Sequence, residues 1–285
     1  MKNSIIFSLM LSILATNSIL AQGFHGQATY MSKRTMKNTS FESSGNDGIS
    51  TEMQKQIQDQ LSKAMERSYV LDFTATESNY RLQQELEVPK AQTNGYSISF
   101  KISGDDTVLY KNSKSKIYKQ EEESYNGKTM LITDSLPKYE WKIQADVKKF
   151  GGYDCYKAIA IIKVAPRQIA AYEALKLKQS KQKKKPLFPA EMPKDTEIVA
   201  WFTNAIPVSF GPGKFWGLPG LILELVEEET TYLCSKIVLN PKEKKAIEVP
   251  NKGKVISQEA FDTDQKKYYD KMADEDGVII RTTKN

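Results

Sequence analysis

The residue types that most often carry catalysis or metal binding are scarce in this chain. Histidine occurs once, as His25, and cysteine occurs twice, as Cys155 and Cys234. A zinc site, a cysteine–histidine pair or a serine–histidine–aspartate triad would have to be built around that one residue near the N-terminus. We therefore expect no metal, no cofactor and no histidine-dependent catalysis.

The carboxylates do not form a recognisable site either. Six acidic residues near the C-terminus could suggest a calcium site: Asp262, Asp264, Asp270, Asp274, Glu275 and Asp276. Their spacing lacks the pattern that places ligands around one calcium ion, so a solvated helix face explains them better. Glu224 lies in an apolar run and is the carboxylate whose burial would be informative. Without a second carboxylate at a defined separation, the sequence gives no argument for a glycosidase-type pair.

Two Gly-Pro turns are the most distinctive local signal, in the stretch FGPGKFWGLPGLILEL at residues 210–225. Gly211-Pro212-Gly213 and Leu218-Pro219-Gly220 each suit a type II turn. Proline fixes φ at the second position of such a turn, and glycine accepts a positive φ at the third. The stretch therefore predicts two tight turns followed by a buried strand that begins with Leu221 and Ile222.

The residues between these turns are the candidate binding residues. Phe215 and Trp216 would be held on a short, stiff segment beside Lys214, where they could contact a ligand or partner at a low ordering cost. Trp201, shortly before the turns, is a further candidate. The other interpretation is architectural, with Trp216 folded back over the sheet as part of the core. We favour the architectural role and keep a binding rim as the alternative.

The N-terminus has the features of a secretory signal peptide. Lys2 supplies the positive start, residues 5–14 the apolar stretch, and small residues precede Gln22. We expect residues 1–21 to be removed on export. No later stretch approaches the roughly 20 apolar residues that cross a bilayer, so we do not expect the mature chain to span a membrane.

Export leaves two interpretations of the cysteines. In an exported protein Cys155 and Cys234 can form one disulfide. They can equally be two buried free thiols, because a disulfide requires a Cα separation that the sequence does not supply. The charge pattern is easier to interpret. The chain has a net charge of +6 with both signs interleaved and no basic stripe among aromatic residues, so we expect no nucleic-acid partner.

Hydrophobic periodicity predicts a mainly β protein. Period-two patterns recur along the chain, for example in residues 69–73 and 96–102, and Asn126-Gly127 is a strong hairpin signal. A helical period begins near Thr51 and another lies near the C-terminus. We predict one strongly curved antiparallel sheet or partly open β-barrel with one or two amphipathic helices, in a single domain over residues 22–285.

A lysine-rich insertion interrupts this domain at about residues 166–195. It begins as a helix in which Ile169, Tyr172 and Leu175 are expected to face inward, and it continues into a lysine run and prolines. Contact of the run with anionic lipid is one interpretation. A solvated loop is the other, and we favour it on general grounds.

The turn segment resembles the GLPGLI family, which is named for the hexapeptide Gly217-Leu218-Pro219-Gly220-Leu221-Ile222. The similarity extends to Trp141 and to residues 151–158 and 200–212. The resemblance implies a protein of the bacterial envelope, in the periplasm or on the periplasmic face of the outer membrane. It also implies an association with TonB-dependent outer-membrane receptors, and it supplies no established catalytic or ligand residues.

The leading functional prediction is therefore a non-enzymatic accessory or binding protein. Its partner would be a TonB-dependent receptor or another envelope protein, or it would carry an apolar ligand or peptide on the concave side of the sheet, by analogy with lipid-carrying half-barrels. One alternative is an envelope hydrolase that uses carboxylate, serine or lysine chemistry. Another is a structural subunit of an envelope complex, which an unusually large exposed apolar patch would reveal.

Overall fold

The computed structural model describes five stretches of the chain, which are residues 24–34, 66–83, 107–181, 190–243 and 245–272. Four predictions fall outside these stretches: the signal peptide, the helix from about Thr51, the strand at residues 96–102 and the solvated loop at the lysine run of the insertion.

One large sheet forms the described part of the protein. Its twelve strands are β1 (His25–Arg34), β2 (Arg67–Thr74), β3 (Glu77–Leu82), β4 (Leu109–Asn112), β5 (Ile117–Glu123), β6 (Thr129–Ser135), β7 (Lys142–Phe150), β8 (Tyr153–Ile162), β9 (Thr196–Thr203), β10 (Leu221–Glu227), β11 (Thr230–Leu239) and β12 (Lys254–Ile256). Their order is β12-β6-β5-β4-β3-β2-β1-β11-β10-β9-β8-β7. The prediction of a mainly β fold is confirmed. The sheet is mixed, because β12 runs parallel to β6, and it is not closed, because β7 and β12 lie at opposite ends of the order.

Local sequence explains the strands and turns. In β1, buried Ala28 and Tyr30 alternate with more exposed neighbours, as a half-buried strand requires. The predicted Asn126-Gly127 hairpin connects β5 to β6, and Gly127 has a φ of +74°. A two-residue turn connects β7 to β8, where Gly151 and Gly152 have φ values of +54° and +87°. Two positive φ angles in succession are the requirement of a type I′ hairpin turn.

The sheet curves strongly, because residues from strands that are far apart in its order share one core. Leu109 of β4, Ile132 of β6 and Leu223 of β10 belong to the same buried cluster. Residues 204–220, which connect β9 to β10, also contribute to this cluster. We call residues 204–220 the GP loop.

Two helices accompany the sheet in the described stretches. Helix α1 (Pro166–Ser180) lies between β8 and β9, and helix α2 (Gln258–Met272) follows β12. Asp134 accepts a hydrogen bond from the N–H of Gln258 at 3.1 Å, which ties the start of α2 to β6. Phe261 of α2 is buried in the core. Within the described stretches, neither helix combines the length and apolar character needed to cross a membrane.

Helix α1 corrects one prediction about the insertion. None of its side chains is buried, and Ile169 and Leu175, which were expected to face inward, are exposed. The reason is the position of the helix. Strands β8 and β9 pair up to Ile162 and Thr196, so the chain has left the sheet before α1 begins and has no sheet face beneath it.

Candidate functional site

The GP loop is interior architecture. Phe210 and Leu218 are buried, and Phe215 is only 7% exposed. The loop folds on itself and onto the start of β10: Gly217 N–H donates to Ser209 O at 3.0 Å, and Ile222 N–H donates to Phe210 O at 3.0 Å. The segment therefore fills space between parts of the sheet.

The glycines of the GP loop confirm one predicted turn position and correct the other. Gly213 has a φ of +53°, as predicted. Gly220 does not have a positive φ, so the prediction of the same requirement there is wrong; the second left-handed glycine is Gly217, with a φ of +96°. Gly220 is needed for space instead, because a Cβ atom there would lie 2.1 Å from Thr203 O.

A buried lysine that the sequence analysis missed holds the GP loop. The side chain of Lys111 on β4 is fully buried, and its Nζ donates to Gly211 O at 2.7 Å and to Gly213 O at 2.6 Å, with Phe215 O at 3.5 Å. Among the described residues no carboxylate pairs with this ammonium group. Burial lowers the pKa of Lys111 to about 7, whereas the carbonyl acceptors favour its charged form.

A signal for Lys111 was present in the sequence. Residue Lys111 stands two positions after Leu109, so the alternation of β4 places both on the same face, and that face is buried. The polar residues that follow make the segment look like a solvent-exposed turn. The partner carbonyls are about 100 positions later in the chain, and no local pattern connects them to β4.

Lys111 also bears on the hydrolase alternative. Ser78 lies directly opposite Lys111 on β3, and both side chains are fully buried. A serine nucleophile requires a hydrogen bond to its base and access to a substrate. The Ser78 hydroxyl has no hydrogen-bond partner within the described part of the chain, and the Lys111 ammonium binds loop carbonyls. The two residues are therefore not arranged as a catalytic pair.

The tryptophan and phenylalanine of the GP loop contact the segment that leads into β7. Trp216 Nε1–H donates to Pro137 O at 2.7 Å, and Trp141 Nε1–H donates to Trp216 O at 2.9 Å. The ring of Phe215 stacks on Tyr139 with the centroids 5.1 Å apart. These contacts give both candidate residues a structural role and leave little of Phe215 available to a ligand.

Lys214, the third candidate, is tied to α2. Its Nζ donates to Gln258 Oε1 at 2.9 Å and lies 4.1 Å from the ring centroid of Tyr118. Burial lowers the pKa of Lys214, while nearby carboxylates, of which Asp262 is the strongest influence, oppose this shift. Lys214 thus joins the GP loop to the helix.

The fourth candidate, Trp201, belongs to a cross-strand cluster on β7, β9 and β10. The Lys148 ammonium lies 4.2 Å from the ring centroid of Trp201 and 2.6 Å from a carboxylate oxygen of Glu224. The carboxylate that the sequence singled out is thus largely buried, with an 18% exposed side chain, and it is paired with a cation. Trp201 packs against the same buried cluster as Trp216, so it too has a packing role.

Both cysteines are buried free thiols. Cys155 lies on β8 and Cys234 on β11, and two strands separate them in the sheet. The structure therefore has the second of the two arrangements that the sequence allowed. Burial raises the pKa of both thiols, and that of Cys234 reaches about 12. Such thiols are poor nucleophiles at neutral pH.

The carboxylates do not gather into a metal site in the described stretches, where no group of three or more cysteine, histidine, aspartate or glutamate side chains could hold an ion. Asp262 instead accepts a hydrogen bond from Gln258 at 2.8 Å and lies 3.8 Å from Arg167. Of the other acidic residues near the C-terminus, Asp264 is exposed on α2 and residues 274–276 lie outside the described stretches.

One of the exposed apolar surfaces lies at β7, the edge strand at one end of the sheet. Ile143 and Val147 are 54% and 55% exposed. They pair with Ala158 and Tyr156, so they lie on the sheet face that carries the second buried cluster. Tyr139 and Trp141, which pack against that cluster, come just before β7. We call Tyr139, Trp141, Ile143 and Val147 the apolar edge. The sequence did not reveal it, because no local pattern shows which strand ends a sheet.

Part of the chain matches a protein-family model. A family model described as "Protein of unknown function (Porph_ging)" matches residues 141–224, which is less than a third of the chain. The matched segment begins at Trp141 of the apolar edge and includes the GP loop. It corresponds closely to the segment on which the resemblance to the GLPGLI family rests, and the description does not carry that family name.

The chain is distantly similar to solved structures. Two crystal structures of a protein named PNGF-II, in space groups C2 and P21, are 12% and 13% identical to this chain, with TM-scores of 0.47 and 0.48. Each match covers 86% of this chain and 33% or 34% of the PNGF-II chain, so this protein spans about a third of the length of those structures. No curated protein matches the chain.

Proposed function

We propose that this chain is a non-enzymatic accessory protein of the bacterial envelope that binds another envelope protein through the apolar edge. The observation that carries the proposal is the exposure of Ile143 and Val147 on the same sheet face as a buried core cluster. Apolar side chains that continue a core face beyond the last strand are suited to be covered by a partner. A TonB-dependent outer-membrane receptor is the partner class that the family resemblance favours.

This location differs from the one that the sequence suggested. Phe215 and Trp216 make their contacts with the protein's own residues, so we assign the partner contact to the strand that they support. Trp141 Nε1–H donates a hydrogen bond to Trp216 O at 2.9 Å, and Phe215 stacks on Tyr139. The GP loop then functions as the rigid base of the apolar edge.

A carrier of apolar ligands is less well supported. The GP loop contributes Ile206, Val208, Phe210 and Leu218 to the buried clusters, where an acyl chain would otherwise have to lie. A ligand could enter only if these side chains were displaced, at the free-energy cost of exposing them. No observation among the described residues favours the hydrolase alternative over binding.

Site-specific photo-crosslinking in the native host tests the proposal. A photoreactive phenylalanine analogue is placed at Ile143 and, as a matched exposed control, at Lys114 in the turn between β4 and β5. We expect the Ile143 position to capture one discrete envelope protein and the Lys114 position not to capture it. Val147→Asp should lower the yield at Ile143 at least fivefold.

Two results would contradict the proposal. One is an identical set of crosslinked proteins at both positions, which would indicate random collision. The other is recovery of lipid alone at Ile143, which would favour a carrier and direct attention back to the interior.

A further inference from the structure

We infer that the partner binds by adding an extended strand to β7, and that this strand carries an apolar residue two positions from a carboxylate. The inference rests on the proposed function and specifies the chemistry of its partner. It depends on three features of β7: the direction of its backbone groups, the side chains on one face, and the charge of the strand.

The hairpin geometry shows which backbone groups of β7 are open. The turn at Gly151 and Gly152 places Phe150 opposite Tyr153, and the hydrogen bond across such a turn makes this a bonded pair. Bonded and non-bonded pairs alternate along an antiparallel ladder. Lys148 therefore bonds to β8, whereas the N–H and C=O groups of Val147 and Lys149 point toward the open edge. A strand that pairs there would satisfy them.

The side chains of Val147 and Lys149 define what such a strand should present. The two residues are two positions apart, so they lie on the same face of the sheet. Val147 is 55% exposed, and the Lys149 side chain is 82% exposed, with Asp154 at 3.9 Å. A partner strand would place an apolar residue against Val147 and, two positions away, a carboxylate against Lys149. Cross-strand pairs of these kinds stabilise sheets.

The charge of β7 favours a foreign acidic strand over a second copy of this chain. The strand contains three lysines and one aspartate, at Lys142, Lys148, Lys149 and Asp146. Lys148 is paired with Glu224, Lys149 lies 3.9 Å from Asp154 at the surface, and among the described residues no carboxylate pairs with Lys142. Two β7 strands side by side would bring these cations together. Lysines on an edge strand oppose such self-association, and they attract a strand of opposite charge.

The length of the added strand is limited by an irregularity in β7. The register with β8 shifts between Ile143 and Val147, where three residues of β7 lie opposite Lys157 alone. The regular edge therefore covers Val147 to Phe150. The partner strand is short, and Ile143 and Trp141 would contact its flanking residues.

A backbone-specific substitution separates strand addition from side-chain contact. Lys149→Ala removes the charge and keeps the N–H group, whereas Lys149→Pro removes both, and proline is tolerated on edge strands. Both are compared by photo-crosslinking from Ile143. We expect Lys149→Ala to lower the yield about threefold and Lys149→Pro to lower it at least tenfold further. Sequencing of the crosslinked segment should find an apolar residue two positions from aspartate or glutamate.

Each other outcome is informative. Equal losses for Lys149→Ala and Lys149→Pro would overturn strand addition and leave the proposed function intact, whereas no captured protein at Ile143 would end the proposed function itself. Capture of a second copy of this chain would overturn the partner assignment. If Lys149→Pro does not fold, hydrogen exchange in the purified crosslinked complex decides: we expect the amides of Val147 and Lys149 to exchange at least tenfold more slowly than in the free protein, and unchanged exchange overturns the inference.

Discussion

The GP loop and the apolar edge contain similar residues in opposite surroundings. In the GP loop, Phe215 is 7% exposed and every aromatic group has a partner within the protein. In the apolar edge, Ile143 and Val147 are more than half exposed, although they continue the face of a buried cluster. The conspicuous sequence motif therefore has structural contacts, and the surface that we propose for partner binding lies on an inconspicuous strand.

The GP loop is held rigidly, and this rigidity supports the apolar edge. Two positive-φ glycines, a buried ammonium group and two tryptophan N–H groups fix the GP loop, and Tyr139 and Trp141 of the apolar edge rest on it. An interface supported in this way loses little conformational entropy when a partner binds. Substitutions in the GP loop should therefore mainly reduce the free energy of unfolding, whereas substitutions in the apolar edge should mainly reduce binding of the proposed partner.

Gly220→Ala is expected to have the largest effect. The new Cβ atom would lie 2.1 Å from Thr203 O, a backbone atom that cannot move without shifting β9. We expect a loss of about 3 kcal/mol or more in the free energy of unfolding, or failure to fold. Gly213→Ala is the control, because a Cβ atom there meets nothing within 4 Å and only the positive φ adds strain, of roughly 1 kcal/mol. Urea unfolding measures both variants, and equal losses would show that space at Gly220 is not limiting.

The conformations of the glycines in the GP loop show how much of the fold the sequence could predict. The mainly β fold, the Asn126-Gly127 hairpin and the positive φ of Gly213 follow from local preferences, and the structure confirms them. The positive φ at Gly217 instead of Gly220 depends on how the GP loop meets β9. The order of twelve strands, and hence the edge position of β7, depends on pairings between residues that are distant in the chain, which no local pattern encodes.

The apolar edge was missed for the same reason. Ile143 and Val147 look like ordinary half-buried strand residues, and only the strand order shows that nothing covers them in the described structure. Lys111 was missed because its partners are about 100 residues away. By contrast, the turn at Gly213 that precedes Lys214, Phe215 and Trp216 could be predicted, because it follows from a local Gly-Pro-Gly sequence.

The pH dependence of folding stability in the wild type and in Lys111→Met tests whether the buried lysine loses its proton in the folded protein. Burial lowers the pKa of Lys111 to about 7 in the folded protein, and it returns to about 10.4 on unfolding. Between these values the unfolded chain holds a proton that the folded protein lacks, so stability rises with pH by about 1.4 kcal/mol per unit at most. We expect the stability of the wild type relative to Lys111→Met to increase between pH 7 and 9, by up to about 3 kcal/mol.

Urea unfolding at pH 6, 7.5 and 9 measures this difference. Lys114→Met is the control, because Lys114 is exposed in a turn. A difference that does not change with pH would mean that the carbonyl groups of the GP loop hold the proton on Lys111 throughout this range.

A pair of valines compares the two regions with the same chemical change. Val208→Thr would place a hydroxyl group in the part of the core that the GP loop itself forms, where Val208 is buried, and it should cost about 1–3 kcal/mol. Val147→Thr makes the same change in the apolar edge and should alter the free energy of unfolding by less than about 0.5 kcal/mol. Thermal unfolding measures both variants. Similar losses would mean that Val147 is buried in solution and would remove the basis of the proposed interface.

The smallest effect is expected for Leu175→Ala on α1. This variant tests whether exposure of an apolar side chain is enough to place it in the proposed interface. Leu175 is 46% exposed, nearly as much as Val147, yet α1 has no buried side chain and no sheet beneath it. An exposed residue of this kind does not continue a core face, so we expect a change in stability below about 0.5 kcal/mol and a crosslinking yield at Ile143 within twofold of the wild type. A larger loss of the crosslink would place α1 in the interface. Exposure alone would then not distinguish the two surfaces, and the argument from continuity with the core would have to include the helix.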